Sequence, residues 1–236
     1  MSCADIPVLA VDGPSGSGKG TVGQQCALAL GWHFLDSGAV YRALAYSIKT
    51  NGININSLED ILDRAQHMDF ECRPAPPDAA EIWLDGRLAA AELRGEEIGK
   101  LASQLASRPA VRSVLLDLQR TARKPPGLVA DGRDMGTVVF PDATVKIFLT
   151  ACVKERARRR YNQLKLKGFD VSLAALFQAI QDRDTRDSER NVSPLAAAED
   201  AVTIDSSDLS IDEVVTRILD LINNRLAIEG IDKNGQ

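Results

Sequence analysis

Apolar residues fall alternately into short continuous runs and into stripes recurring every three to four positions, a pattern that predicts strands and helices taking turns. The run IPVLAV is followed by Lys19 to Leu30, where Val22, Cys26, Ala29 and Leu30 form a helical stripe ending at Gly31. A short strand in WHFLD then leads to a helix from Ala39 to Thr50, with Ser37 as its natural N-cap and Arg42 in its first turn. From residue 53 to 94 the character changes. A helical piece (SLEDILDRAQHM), the run MDFEC, a turn at Pro74, Pro76 and Pro77, and EIWLDGRLA predict two or three antiparallel strands with a helix, inserted on the main sheet. Helical patterning returns in GEEIGKLASQLAS, and Pro109 opens a second helix with Val111, Val114, Leu115 and Leu118 on its buried side. Leu128 to Ala130 and VKIFLT read as buried strands. Helices follow from Glu155 to Gly168 and in QAIQDRDTRDSERN, then the strand AVTIDSS, the helix SIDEVVTRILDLINNRL and a tail, IEGIDKNGQ, expected to fray. The class is α/β.

The first strand breaks into a glycine-rich turn, Gly13-Pro14-Ser15-Gly16-Ser17-Gly18-Lys19-Gly20-Thr21, that runs directly into a helix. Gly13 to Lys19 match G-x-x-x-x-G-K, a loop whose amides and helix start cradle a polyphosphate while the lysine reaches its β- and γ-phosphates. A dinucleotide fingerprint fails, because Thr21 stands where its last glycine belongs. Gly20 replaces the usual hydroxyl residue, so Thr21, one position later, is the candidate ligand for Mg²⁺ within the loop. After the strand at Leu128 the chain releases Asp131, Arg133 and Asp134 at the end where α/β sheets bind ligands. Asp131 reads either as a carboxylate orienting the water shell of Mg²⁺ or as a cap.

Composition narrows the partners. The 236 residues carry a net charge of −5 and a pI near 5.2, which argues against a broad surface for nucleic acid. The bases are nonetheless skewed to arginine, 19 against 9 lysines, with Arg156, Arg158, Arg159, Arg160, Arg183, Arg186 and Arg190 in one 35-residue window. Arg183, Arg186, Asp187 and Arg190 recur at i, i+3, i+4, i+7, where a buried helix would carry apolar residues. Guanidinium groups so stacked call for an anion among them, and a small, highly charged anion fits that concentration. The cysteines and His33 and His67 lack metal spacing, and no run is long enough to span a membrane. A cytoplasmic, monomeric protein without nucleic-acid or membrane partners is expected.

The loop GPSGSGKGT, the segments LDSGAVYR and DGRDMGTVVFPDA, and the arginine-rich helices closely resemble bacterial cytidylate kinases, nucleoside monophosphate kinases, over nearly the whole chain. The resemblance implies a P-loop parallel sheet with helices on both faces, a small inserted α+β monophosphate-binding subdomain at 53–94 and an arginine-rich lid at 153–191. It implies ATP with Mg²⁺ as donor and CMP or dCMP as acceptor. Gly13 to Thr21 would hold the ATP phosphates; Ser37, Arg42, Ser103, Arg112, Arg133, Asp134, Arg183, Asp187 and Arg190 would surround the acceptor. Within that set Ser37, Arg183 and Asp134 would read cytosine, Asp187 the ribose, and Arg42, Arg112 and Arg133 the α-phosphate. Lys19 with Arg156, Arg159, Arg160 and Arg186 would neutralise the transferring group, and insert and lid would close together. Rival expectations are a P-loop kinase for another acceptor, such as UMP or AMP, and a nucleotide-switch binding protein.

Overall fold

The computed structural model describes residues 6–75, 80–89, 91–166, 168–189 and 192–230. Its centre is a five-stranded parallel sheet in the order β2-β6-β1-β7-β8. The strands are β1 (Val8–Asp12), β2 (His33–Asp36), β6 (Leu128–Gly132), β7 (Val145–Thr150) and β8 (Val202–Asp205). Alternation along β1 explains why helices cover both faces. Val8 and Ala10 join a core with α2 (Ser37–Thr50), α4 (Glu96–Ala106) and α5 (Pro109–Arg120), while Leu9 and Val11 join another with α1 (Lys19–Leu30) and α8 (Ile211–Glu229).

The insert consists of α3 (Leu58–Gln66) and an antiparallel sheet of β3 (Phe70–Arg73), β4 (Glu81–Leu84) and β5 (Arg87–Leu88). Its strand side is fixed to the main body: the buried Gln24 on α1 donates to the Ala75 carbonyl at 2.6 Å. The arginine-rich region is a helix pair, α6 (Val153–Leu166) and α7 (Leu173–Ser188). Pro76, Pro77 and Arg190 lie outside the described residues.

Three local expectations change. Asp36, not Ser37, caps α2, its Oδ1 accepting from the Ala39 N–H at 3.0 Å, so Ser37 is the first helical residue and Arg42 falls in the second turn. The strand expected over Leu128 to Ala130 runs on to Gly132, so Asp131 lies inside it, and the chain then closes into a π-turn, Met135–Val139. The C-terminal helix continues to Glu229 and closes on Gly230 in the left-handed region, φ 67°, rather than fraying from Ile228.

Candidate active site

The glycine-rich loop leaves β1 hard against β7: a Cβ on Gly13 would stand 2.0 Å from the Leu149 carbonyl oxygen, which only glycine avoids. Gly18, with φ 95°, turns the chain into α1. The loop's carbonyls are held from outside. Arg156 Nη1 donates to Ser15 O at 3.0 Å, and Arg159 Nη1 and Ser206 Oγ each donate to Ser17 O at 3.2 Å. Carbonyls engaged on that side are the condition for leaving the loop's amides to an anion.

Lys19 is buried, its Nζ donating to Pro14 O at 3.2 Å and standing 3.9 Å from Asp131 Oδ1. Burial pulls its pKa down, and the nearby Arg133 and Arg183 add to that, while Asp131 and Asp36 oppose it. Burial pushes the Asp131 carboxyl up against the opposing pull of Lys19. Asp131 Oδ1 is buried without a hydrogen-bond partner, and a Cβ on Gly20 would lie 3.1 Å from Asp131 Oδ2. The carboxylate thus fills the space into which a side chain after the loop lysine would extend. A buried carboxylate oxygen that faces Lys19 but accepts no hydrogen bond, beside a phosphate loop, suits a hard cation.

Across from the loop, charged side chains converge from four elements. Arg112 on α5 pairs with the buried Asp134 and lies 5.9 Å from the Tyr41 ring centroid. Arg133 Nε donates to Asp187 Oδ2 on α7 at 3.0 Å, and Arg183 Nε lies 4.0 Å from the same oxygen. A Cβ on Gly132 would sit 2.7 Å from Ser37 Oγ, so the serine hydroxyl packs directly against the end of β6. Arg42 Nη1 donates to Leu93 O at 2.9 Å, and Arg186 Nη1 to Ser103 Oγ at 3.5 Å, joining α7 to α4. Arg133 and Arg183 repel the Lys19 ammonium at one mouth, a repulsion that an added polyanion would relieve.

The cytidylate kinase family model matches residues 9–224. Cytidylate kinases of Methylococcus capsulatus, Stutzerimonas stutzeri and Colwellia psychrerythraea are 54%, 52% and 51% identical to the chain. Each match covers 93% of it and 98%, 96% and 97% of the respective relative. The chain belongs to the cytidylate kinase family.

Within this cytidylate kinase frame, Arg112 with Asp134 forms one ion pair and Arg133, Asp187 and Arg183 a second group, Ser37 packs against the end of β6, and Ser103 meets Arg186. The lid arginines divide. Arg156 is 4% exposed and directs its donors inward, to Ala151 O at 2.8 Å, to Ser15 O, and to Asp184 in a paired contact at 3.0 and 2.5 Å. Arg159 holds Glu155, Ser17 and Ser206. Both hold the phosphate loop through its carbonyl oxygens. Arg160 is exposed and meets Gln163 Oε1 at 2.7 Å. The arginine stripe on α7 also contains its own counter-ion, because Asp187 is buried between Arg183 and Arg133.

Sequence reading missed Asp12, Asp36, Asp184 and Ser206. Asp12 carries the same signal as Asp131, a carboxylate ending an apolar run, but stands directly before the glycine loop, whose pattern does not include it. The partners of Asp184 and Ser206 lie far away along the chain, 28 residues to Arg156 and 189 to Ser17, and no local pattern announces such contacts.

Proposed function

We propose that the chain transfers the γ-phosphoryl group of ATP to the 5′-phosphate of CMP or dCMP, giving ADP and CDP or dCDP. The observation that carries this reading is the facing of two charge systems: the phosphate loop with Lys19 on one side, and Arg112, Arg133, Asp134 and Arg183 on the other. An acceptor phosphate oxygen bonds to the γ-phosphorus as the bond from that phosphorus to the β,γ-bridging oxygen breaks, and the bridging oxygen leaves on ADP. That acceptor oxygen already bears negative charge at neutral pH, so no strong base is needed. The histidines sit elsewhere, His33 on the Pro125 carbonyl and His67 beside Asp63.

Asp134 accepts from the exocyclic amine of cytosine, and Arg183 donates to the ring acceptors. A carboxylate offers about four acceptor positions, so the Arg112 pair leaves Asp134 capacity for that amine. Ser37 supports the base contact, Asp187 holds the ribose, and Arg42, Arg112 and Arg133 bind the α-phosphate. Asp131, with Thr21 as the second candidate, would hold Mg²⁺, which when bound supplies positive charge to the phosphate oxygens. Lys19, with Arg156, Arg159, Arg160 and Arg186, supplies the positive charge that neutralises the transferring group. Residues 53–94 act as the monophosphate-binding subdomain and 153–191 as a lid whose closure excludes water.

A coupled assay of ADP release with CMP, dCMP, UMP, AMP and GMP as acceptors tests the reading. CMP and dCMP should give the highest kcat/KM. Preference for AMP or UMP would assign a different kinase, and ADP release indifferent to acceptor would assign a nucleotide switch.

A further inference from the structure

Asp12 ends β1, one residue before the phosphate loop, and is 5% exposed. Its two oxygens are used symmetrically: Oδ1 accepts from the Met135 N–H and Oδ2 from the Gly136 N–H, each at 2.8 Å. Those amides begin the π-turn immediately after Arg133 and Asp134. The turn is folded tightly onto β6, since a Cβ on Gly132 would fall 2.7 Å from Met135 Cγ. Its far end is held separately by Arg120, which donates to the carbonyls of Val138 and Val139 at 3.2 and 3.1 Å. One buried carboxylate therefore joins the start of the donor loop to the two residues assigned to the acceptor.

We infer that Asp12 is a positioning residue for the acceptor site: through the amides of Met135 and Gly136 it fixes where Arg133 and Asp134 stand relative to the phosphate loop. This rests on the reading of Asp134 as the cytosine contact. A buried carboxylate is an expensive way to tie a turn to a strand, and burial raises Asp12 to about pH 6 even though both amides and Lys19 favour its charged form. What the carboxylate supplies and a neutral side chain of its size cannot is two acceptor oxygens at once for adjacent amides.

Asp12→Asn keeps the shape but has a single acceptor oxygen, so one amide must face an NH₂ group. The ratio of kcat/KM for CMP to that for UMP should fall about tenfold or more, as expected when a buried hydrogen bond to a charged group is lost. The dissociation constant of ATP, titrated without acceptor, should stay within about twofold. A D12N enzyme that keeps the wild-type CMP to UMP ratio, or loses ATP affinity as much as CMP selectivity, overturns the positioning role. The wild type in the same assay separates the two claims. If it does not prefer CMP, the cytosine reading falls and this inference with it; if wild type and D12N discriminate equally, only the inference falls.

Should D12N not fold, Asp12→Glu is the substitute, since it keeps both acceptor oxygens and moves them out by one methylene. The CMP to UMP ratio of kcat/KM should fall while the ATP dissociation constant stays near that of wild type. An unchanged ratio contradicts the inference.

Discussion

A carboxylate's role at this site follows from what its oxygens touch. Asp134 holds a guanidinium, Asp12 holds two amides, and Asp131 faces Lys19 with a buried oxygen that accepts no hydrogen bond. Removing Asp134 should therefore harm acceptor recognition alone: Asp134→Ala is expected to lower kcat/KM for CMP by about 1–3 kcal/mol, leaving the ATP dissociation constant unchanged. Steady-state kinetics with a separate ATP titration checks this, and equal damage to both substrates would remove Asp134 from the acceptor site. Lys19→Ala should reduce kcat by roughly 10² to 10³, measured at saturating CMP and ATP, because the transferring group loses its closest loop cation. At this scale Asp131, Arg133 and Asp134 were legible in the sequence as charges released at a strand end. The resemblance also gathers Arg112 and Asp187 at the site, but their pairings with Asp134 and Arg133 were not legible, because they approach from helices distant along the chain and spacing rules describe only neighbours.

Elements supply the rigidity that single side chains lack. Arg156 joins α6 to α7 through Asp184 and both helices to the loop through Ser15. Arg156→Ala would strand Asp184 and free the loop carbonyl. The expected cost is about 3 kcal/mol of local stability, as for breaking a buried ion pair. Hydrogen exchange should then quicken in α7 and in residues 13–18 together; quickening confined to α6 would show that the pair does not couple them. Helix positions and the strands of the insert were readable because hydrophobic periodicity follows burial directly. The cap of α2 was misplaced by one residue because Asp36 and Ser37 are both good caps and only backbone geometry chooses between them. The π-turn left no periodic signature, since it is held by Asp12 and Arg120 from outside its own sequence.

The whole molecule is a five-stranded parallel sheet carrying an antiparallel insert and a helix pair. The alternating apolar strands and flanking helices made the α/β class legible, and burial on both sheet faces follows from continuous apolar runs such as VLAV. Ile218 and Ile222 on α8 are fully buried against the β1 face that carries Leu9 and Val11. Ile218→Ala should cost about 2–5 kcal/mol in urea unfolding while sparing KM for both substrates, since the site lies at the strand ends. The Gln24 to Ala75 contact ties the strand side of the insert to α1, and Arg156 and the Arg133–Asp187 pair tie α6 and α7 to the loop and to the end of β6, so residues 53–94 and 153–191 are expected to close together. Small-angle scattering should show a contraction on adding a bisubstrate analogue, and an unchanged profile would count against a moving lid.

The central claim is that a phosphate donor and CMP lie face to face, one on the loop amides and the other among arginines drawn from separate elements. A crystal structure with CMP and a non-hydrolysable ATP analogue tests it most directly. The account predicts Asp134 on the cytosine amine, Arg133 and Arg42 on the CMP phosphate, and Lys19 on the donor phosphates. CMP bound elsewhere, or bound here with Arg42, Arg133 and Arg183 all turned away from it, would contradict the account.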